Sequence, residues 1–226
     1  MADGGRRIEV GREYGVALIS FSSPILAVEV LDEFGAVLEE LAAESSPNPV
    51  VLRSNHPSVF LAGAHLAEIA ALEVVSSVPY CRHGRRVIEQ LEGYPAPTIA
   101  AIEGSCSGGG FDLVLACDVL IAGPRARFGH PGIQRGLITG WSGTTRLPAV
   151  LGRTTARTAL LESRDFDVAS LSTLGAVRSV AGDSLVIAIE TARRQAALDP
   201  SRRQLWRALR GSGFIDRFHA SVVHKL

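Results

Sequence analysis

The 226-residue chain has one methionine, three cysteines and a single lysine, Lys225, against 22 arginines, and only 6% of its residues are aromatic. Cys81, Cys106 and Cys117 are odd in number and far apart. That spacing excludes a closed disulfide framework and the close pairs of a zinc site. Neither a metal nor a resident cofactor is expected. Twenty-three basic residues balance twenty-three acidic ones, so the chain lacks the overall basic footprint of a nucleic-acid or anionic-membrane binder. No stretch approaches the roughly 18 uninterrupted apolar residues of a membrane span. The first ten residues, with Arg6, Arg7 and Glu9, contain no apolar signal segment. The expectation is a cytoplasmic protein with no nucleic-acid partner and no membrane partner.

Hydrophobic residues make up 46% of the chain and the mean hydropathy is +0.21, enough to bury a core. The length suits one domain of about 150–200 residues with a short appendage, here read as a core over 1–180 and a C-terminal helical segment over 181–226. From Arg193 onward seven arginines and Lys225 face only Asp199 and Asp216. The simple reading of this basic end is a solvated helix face; the functional one is contact with a phosphate-bearing ligand or a partner subunit.

Periodicity places short apolar strands at 16–21, 50–52, 98–102 and 119–122. Between the first two, Leu31, Phe34, Leu38 and Leu41 recur at helical spacing among Asp32, Glu33, Glu39 and Glu40. A second helical stretch lies within 64–91, a third spans 111–117, and beyond Gly143 helices near 144–150, 154–161 and 168–174 precede a short strand at 177–180. Strand and helix alternate, so the fold class is α/β, with helices covering a largely parallel sheet.

The densest glycine cluster, Gly104-Ser105-Cys106-Ser107-Gly108-Gly109-Gly110, joins a strand to a helix. Free backbone N–H groups converge at such a turn, although tight turns also need small residues for steric reasons alone. Two chemistries fit. In one, Cys106 occupies the nucleophile position of an α/β-hydrolase elbow, with Asp165, Asp167 or Asp183 and His219 available to complete a triad; the plain alternative is a small buried hydrophobe. In the other, the turn supplies half of an oxyanion hole, and Phe60-Leu61-Ala62-Gly63-Ala64-His65-Leu66 supplies the rest.

Val59 to Leu66, Pro97 to Gly104 and Ser107 to Asp118 together resemble the crotonase, or enoyl-CoA hydratase/isomerase, superfamily. Arg127 to Pro131, Gly136-Leu137, Gly143 to Pro148 and Gly175 to Val177 continue the match in family order. The resemblance covers about Ile8 to Val180. It implies a crotonase-like spiral of ββα units followed by a short C-terminal helical region, assembled as a homotrimer or hexamer. The implied substrate is an acyl-CoA or acyl-carrier thioester, processed through an enolate. On this resemblance Ala64 and Gly109 donate the oxyanion-hole N–H groups, Ala62, Gly63, His65, Leu66, Gly108 and Trp141 bind substrate, and Asp112 and His130 are catalytic. Trp141 either narrows the acyl pocket or packs at a helix start.

The chain departs from the family pattern at its acids. Where hydratases carry two glutamates it has Asp112 and Gly132, and the stretch Gly136 to Gly143 offers no substitute carboxylate. Isomerisation or decarboxylation, which need fewer proton-transfer groups than hydration, is therefore preferred. The alternative is a catalytically silent acyl-CoA-binding subunit. For Asp112 the structural role is a carboxylate near a helix N-terminus; for His65 and His130 it is a hydrogen-bonded imidazole. The loop Phe21-Ser22-Ser23-Pro24, where relatives hold adenosine, is shortened.

Overall fold

A computed structural model describes residues 6–198 and Ser201. The chain begins with a hairpin, β1 (Ile8–Glu13) and β2 (Val16–Phe21), followed by β3 (Ile25–Leu26) and α1 (Val28–Ala42). Next come β4 (Val50–Ser54), β5 (Val59–Leu61), β6 (Gly63–Ala64), α2 (Leu66–Ala70) and α3 (Val74–Glu92). β7 (Thr98–Ile102), β8 (Ser105–Ser107) and α4 (Gly109–Val114) precede β9 (Val119–Ala122) and β10 (Arg127–Gly129). A 3-10 turn over Pro131–Arg135 leads to α5 (Gly143–Leu151), α6 (Arg153–Leu161), β11 (Phe166–Asp167), α7 (Val168–Thr173), β12 (Arg178–Ser179) and α8 (Ser184–Ala196).

One sheet has the order β1-β2-β4-β7-β9-β12, parallel throughout except for the β1–β2 hairpin. A second, β11-β10-β8-β5, takes the strand that follows each of β4, β7 and β9. The chain therefore steps along both sheets at once, which builds the spiral of ββα units. β1 escapes the hydrophobic pattern because only Ile8 of its six residues is buried. It forms through the tight turn at Tyr14 and Gly15, whose positive φ values of 50° and 77° suit a two-residue hairpin. β5, β8 and β10 escape it because three residues are too few to show a period.

Alternation along the central strands divides the core. Leu52, Ala100, Ile102, Leu120 and Ala122 face the side that α1, α3 and α4 cover. Val51, Ile99, Ala101 and Ile121 face Ala188, Ile189 and Ala192 of α8. α8, although it lies beyond residue 180, packs on the core and completes the sheet's second face. The rest of the expected C-terminal segment, residues 199, 200 and 202–226, lies outside the described residues, and with it His219 and most of the basic end. The helix expected between the first two strands begins at Val28, because Ile25 and Leu26 before it pair in parallel with Gly63 and Ala64. No helix among the described residues is long and apolar enough to cross a membrane.

Phe111 of α4 packs on Phe128 of β10 with ring centroids 5.3 Å apart, and both rings are fully buried. The contact sets the distance between two segments that each carry a candidate site residue one or two positions away. Phe128→Ala is expected to lower the unfolding free energy by about 3–5 kcal/mol, measured by urea denaturation.

Candidate active site

The site is built where three backbone turns converge. β8 ends at Ser107, and Gly108, with φ 53° and ψ −130°, turns the chain into α4. The Gly108 N–H donates to Gly129 O at 3.0 Å, which ties the start of α4 to β10. On the other side the Ser107 hydroxyl donates to Ala62 O at 3.2 Å. Gly63 is the residue that permits this approach. Its φ is 96°, and a Cβ there would lie 2.7 Å from the Gly109 nitrogen and 2.9 Å from Ser107 O. Behind it, a Cβ on Gly110 would lie 2.6 Å from the Leu61 Cβ and carbonyl oxygen. Glycine at these positions brings the Ala64 and Gly109 backbones side by side.

These turns open on a cavity of about 680 Å³. Ala62, Ala64, His65, Leu66, Gly108, Gly109, Asp112, His130 and Trp141, all expected at the site, line it. Gly63, expected to contact substrate, does not: it is buried behind the wall, acting through its backbone. His65 is at the rim, its side chain 43% exposed and its Nδ1 3.6 Å from Glu68. Trp141 does both things considered for it. The indole lines the cavity and is also 3% exposed, lying so close over Gly84 and Gly109 that a Cβ on either would collide with it. Arg146 donates to Trp141 O at 3.4 Å and pairs with Glu92 at 2.6 Å, holding the indole's backbone in place.

Asp112 is fully buried one helical turn beyond Gly109. The Thr139 hydroxyl donates to its Oδ2, and Trp141 N–H donates to Thr139 Oγ1 at 3.3 Å. Asp112 Oδ1 stands 3.2 Å from His130 Nε2. The pair is close but misaligned, and neither atom has a hydrogen-bond partner. A buried carboxylate oxygen left this way is costly. Two glycines preserve the arrangement: a Cβ on Gly143 would collide with Asp112 Oδ1, and one on Gly132 would lie 3.0 Å from Leu137 O and 3.7 Å from His130 Nδ1. Sequence reasoning missed Thr139, Gly143 as a contact of Asp112, Tyr80 and Arg135. Thr139 is 27 residues from its carboxylate, and no local spacing announces the pair.

Cys106 is not a nucleophile. It is fully buried on β8, paired in parallel with Phe128 and Leu61, inside the main core. Burial pushes its thiol well above the ordinary value, and Cys117 and Asp112 push it further. The hydrolase reading therefore fails, because the thiolate that it needs is disfavoured where no substrate reaches.

The family model for enoyl-CoA hydratase/isomerase matches residues 11–210. Among curated proteins, the fatty acid oxidation complex subunit alpha of Shewanella halifaxensis is 31% identical over 201 residues, which is 85% of this chain and 28% of that protein. A probable mitochondrial enoyl-CoA hydratase 2 of Arabidopsis thaliana is 32% identical over 190 residues, 81% of this chain and 63% of that protein. The chain thus spans less than two thirds of either relative's length. Among solved structures, the enoyl-CoA hydratase of Bacillus anthracis superposes with a TM-score of 0.86 at 28% identity, covering 97% of this chain and 88% of that one. The chain belongs to the enoyl-CoA hydratase/isomerase family and has its crotonase fold.

In the native protein, iodoacetamide is expected to label Cys81, which is partly exposed, while Cys106 reacts only after unfolding; peptide mass mapping reads the order. Gly143→Ala is expected to lower the unfolding free energy by about 1–3 kcal/mol in a urea titration, as the added methyl displaces the Asp112 carboxylate or the α5 backbone.

Proposed function

We propose that the chain is an enzyme that acts on an acyl thioester, carried by CoA or by a carrier protein, through an enolate intermediate. The observation that carries this reading is the Asp112–His130 pair, two buried groups whose facing atoms, Oδ1 and Nε2, are 3.2 Å apart with no hydrogen-bond partner, lining the same cavity as Ala64 and Gly109. The matched relatives, a fatty acid oxidation subunit and an enoyl-CoA hydratase by name, support a thioester substrate and a place in fatty acid metabolism.

In this reading the thioester oxygen sits between the Ala64 and Gly109 N–H groups. Gly109 opens α4, and the first N–H groups of a helix have no intrahelical acceptor. Asp112 Oδ1 takes the α-proton as the C–H electron pair moves into the new carbon–carbon double bond and the carbonyl electrons move onto oxygen. The two N–H groups stabilise that charge, and losing one such donor typically costs about 10²- to 10³-fold in rate. Isomerisation ends when the carboxyl returns its proton to a different carbon. In decarboxylation the enolate forms instead as carbon dioxide leaves, and a protonated Asp112 or His130 delivers the proton. In this reading the His130 imidazole, its Nε2 3.2 Å from Asp112 Oδ1, exchanges a proton with the carboxyl group.

Gly132 supplies no second acid to activate water, so isomerisation or decarboxylation is preferred to hydration. The same glycine favours a second reading, a catalytically silent acyl-CoA-binding subunit. Assembly as a trimer or a pair of trimers is part of the proposal, following the family pattern.

With a panel of acyl-CoAs in deuterium oxide, the wild type is expected to exchange the α-proton, as measured by mass spectrometry, and Asp112→Asn to slow exchange by at least about 10²-fold while still binding thioester. Bound thioester with no exchange in the wild type would establish the silent-subunit reading instead.

A further inference from the structure

The cavity wall is mostly apolar, with Ile25, Leu66, Ile69, Leu72 and Ile138 contributing to it. Among its lining residues one, Arg135, carries a permanent positive charge. Arg135 is the last residue of the 3-10 turn that begins at Pro131 and contains Gly132. The turn closes firmly: Gly136, with φ 69°, donates to Ile133 O at 2.9 Å, and Leu137 N–H donates to Gly132 O at 3.0 Å. The arginine is therefore carried by a fixed backbone. Its guanidinium has no ion pair or hydrogen bond among the described residues, whereas six other arginines in them pair with a carboxylate. Arg135 is an exposed member of this mostly apolar lining, and a planar guanidinium left unpaired there is suited to bidentate binding of a carboxylate.

Resting on the thioester reading above, we propose that the acyl group bound here bears a terminal carboxylate, and that Arg135 recognises it. A phosphate of CoA is the other oxyanion that a guanidinium would accept. The acyl source is favoured because Arg135 lines the same cavity as Asp112 and His130, and the pantetheine arm places CoA's nearest phosphate a long extended chain away from the thioester. Tyr80 also lines the cavity, and its hydroxyl has no partner. Burial and the neighbouring Glu68 and Cys81 push that phenol up to about 12, so near neutral pH it is an un-ionised donor that does not repel a carboxylate.

Four probes separate the sources: glutaryl thioesters and their terminal amides, each made on CoA and on pantetheine. Affinities are read by calorimetry, so the result does not depend on turnover or on the role of Asp112. The wild type is expected to bind the acid about tenfold more tightly than the amide on both carriers, and Arg135→Gln to bring that ratio close to one. Arg135→Lys is expected to keep part of the preference. An acid-to-amide ratio near one in the wild type would overturn the proposal. So would an Arg135→Gln variant that weakens acid and amide equally and only on CoA, which would assign the arginine to a phosphate.

Discussion

Everything at the site follows from how closely the start of α4 approaches the segment between β5 and α2. Side chains at Gly63 or Gly110 would push the two backbones apart, because a Cβ at either meets main-chain atoms within 2.9 Å. Their absence lets Gly109 and Ala64 lie side by side and opens a cavity above them. Leu61, Phe111 and Phe128, all fully buried, hold the two walls at that spacing from below. Trp141 then seals one side by lying across Gly84 and Gly109.

That geometry also accounts for the polar groups. Asp112, one turn into α4, directs its carboxylate into the space between α4, His130 and the segment from Thr139 to Gly143. Thr139 satisfies one of its oxygens. The other faces His130 without a hydrogen bond, and the empty positions at Gly132 and Gly143 keep the surroundings clear. Folding alone gains nothing from such an arrangement, since a well-packed apolar residue would avoid the desolvation cost. These two unpaired atoms are the ones that the proposed function uses for proton transfer.

Much of this was legible in the sequence. The strands buried on both faces read as unbroken apolar runs, and the strands at 98–102 and 119–122 have the expected bounds. The separated glycine segments, taken in order, carried the family and most of the cavity lining. Read from residues alone, however, the turn around Cys106 was ambiguous, because an elbow that exposes a nucleophile and a strand end that buries a thiol use the same small residues. Gly63 was assigned to substrate contact for a related reason: proximity in the chain does not distinguish the residue that lines a wall from the one that holds it.

By itself the sequence determined the α/β alternation, the family, the place of the glycine turns and the glycine at position 132, since each is written in residue type and local order. The tertiary structure alone decided that Cys106 is buried, that Thr139 and Gly143 meet Asp112, that His130 faces its free oxygen, and that Arg135 stands unpaired on the cavity wall. Those contacts join residues from different turns across the fold. Their distances depend on how tightly glycine backbones pack, a property of three-dimensional close approach with no period along the chain.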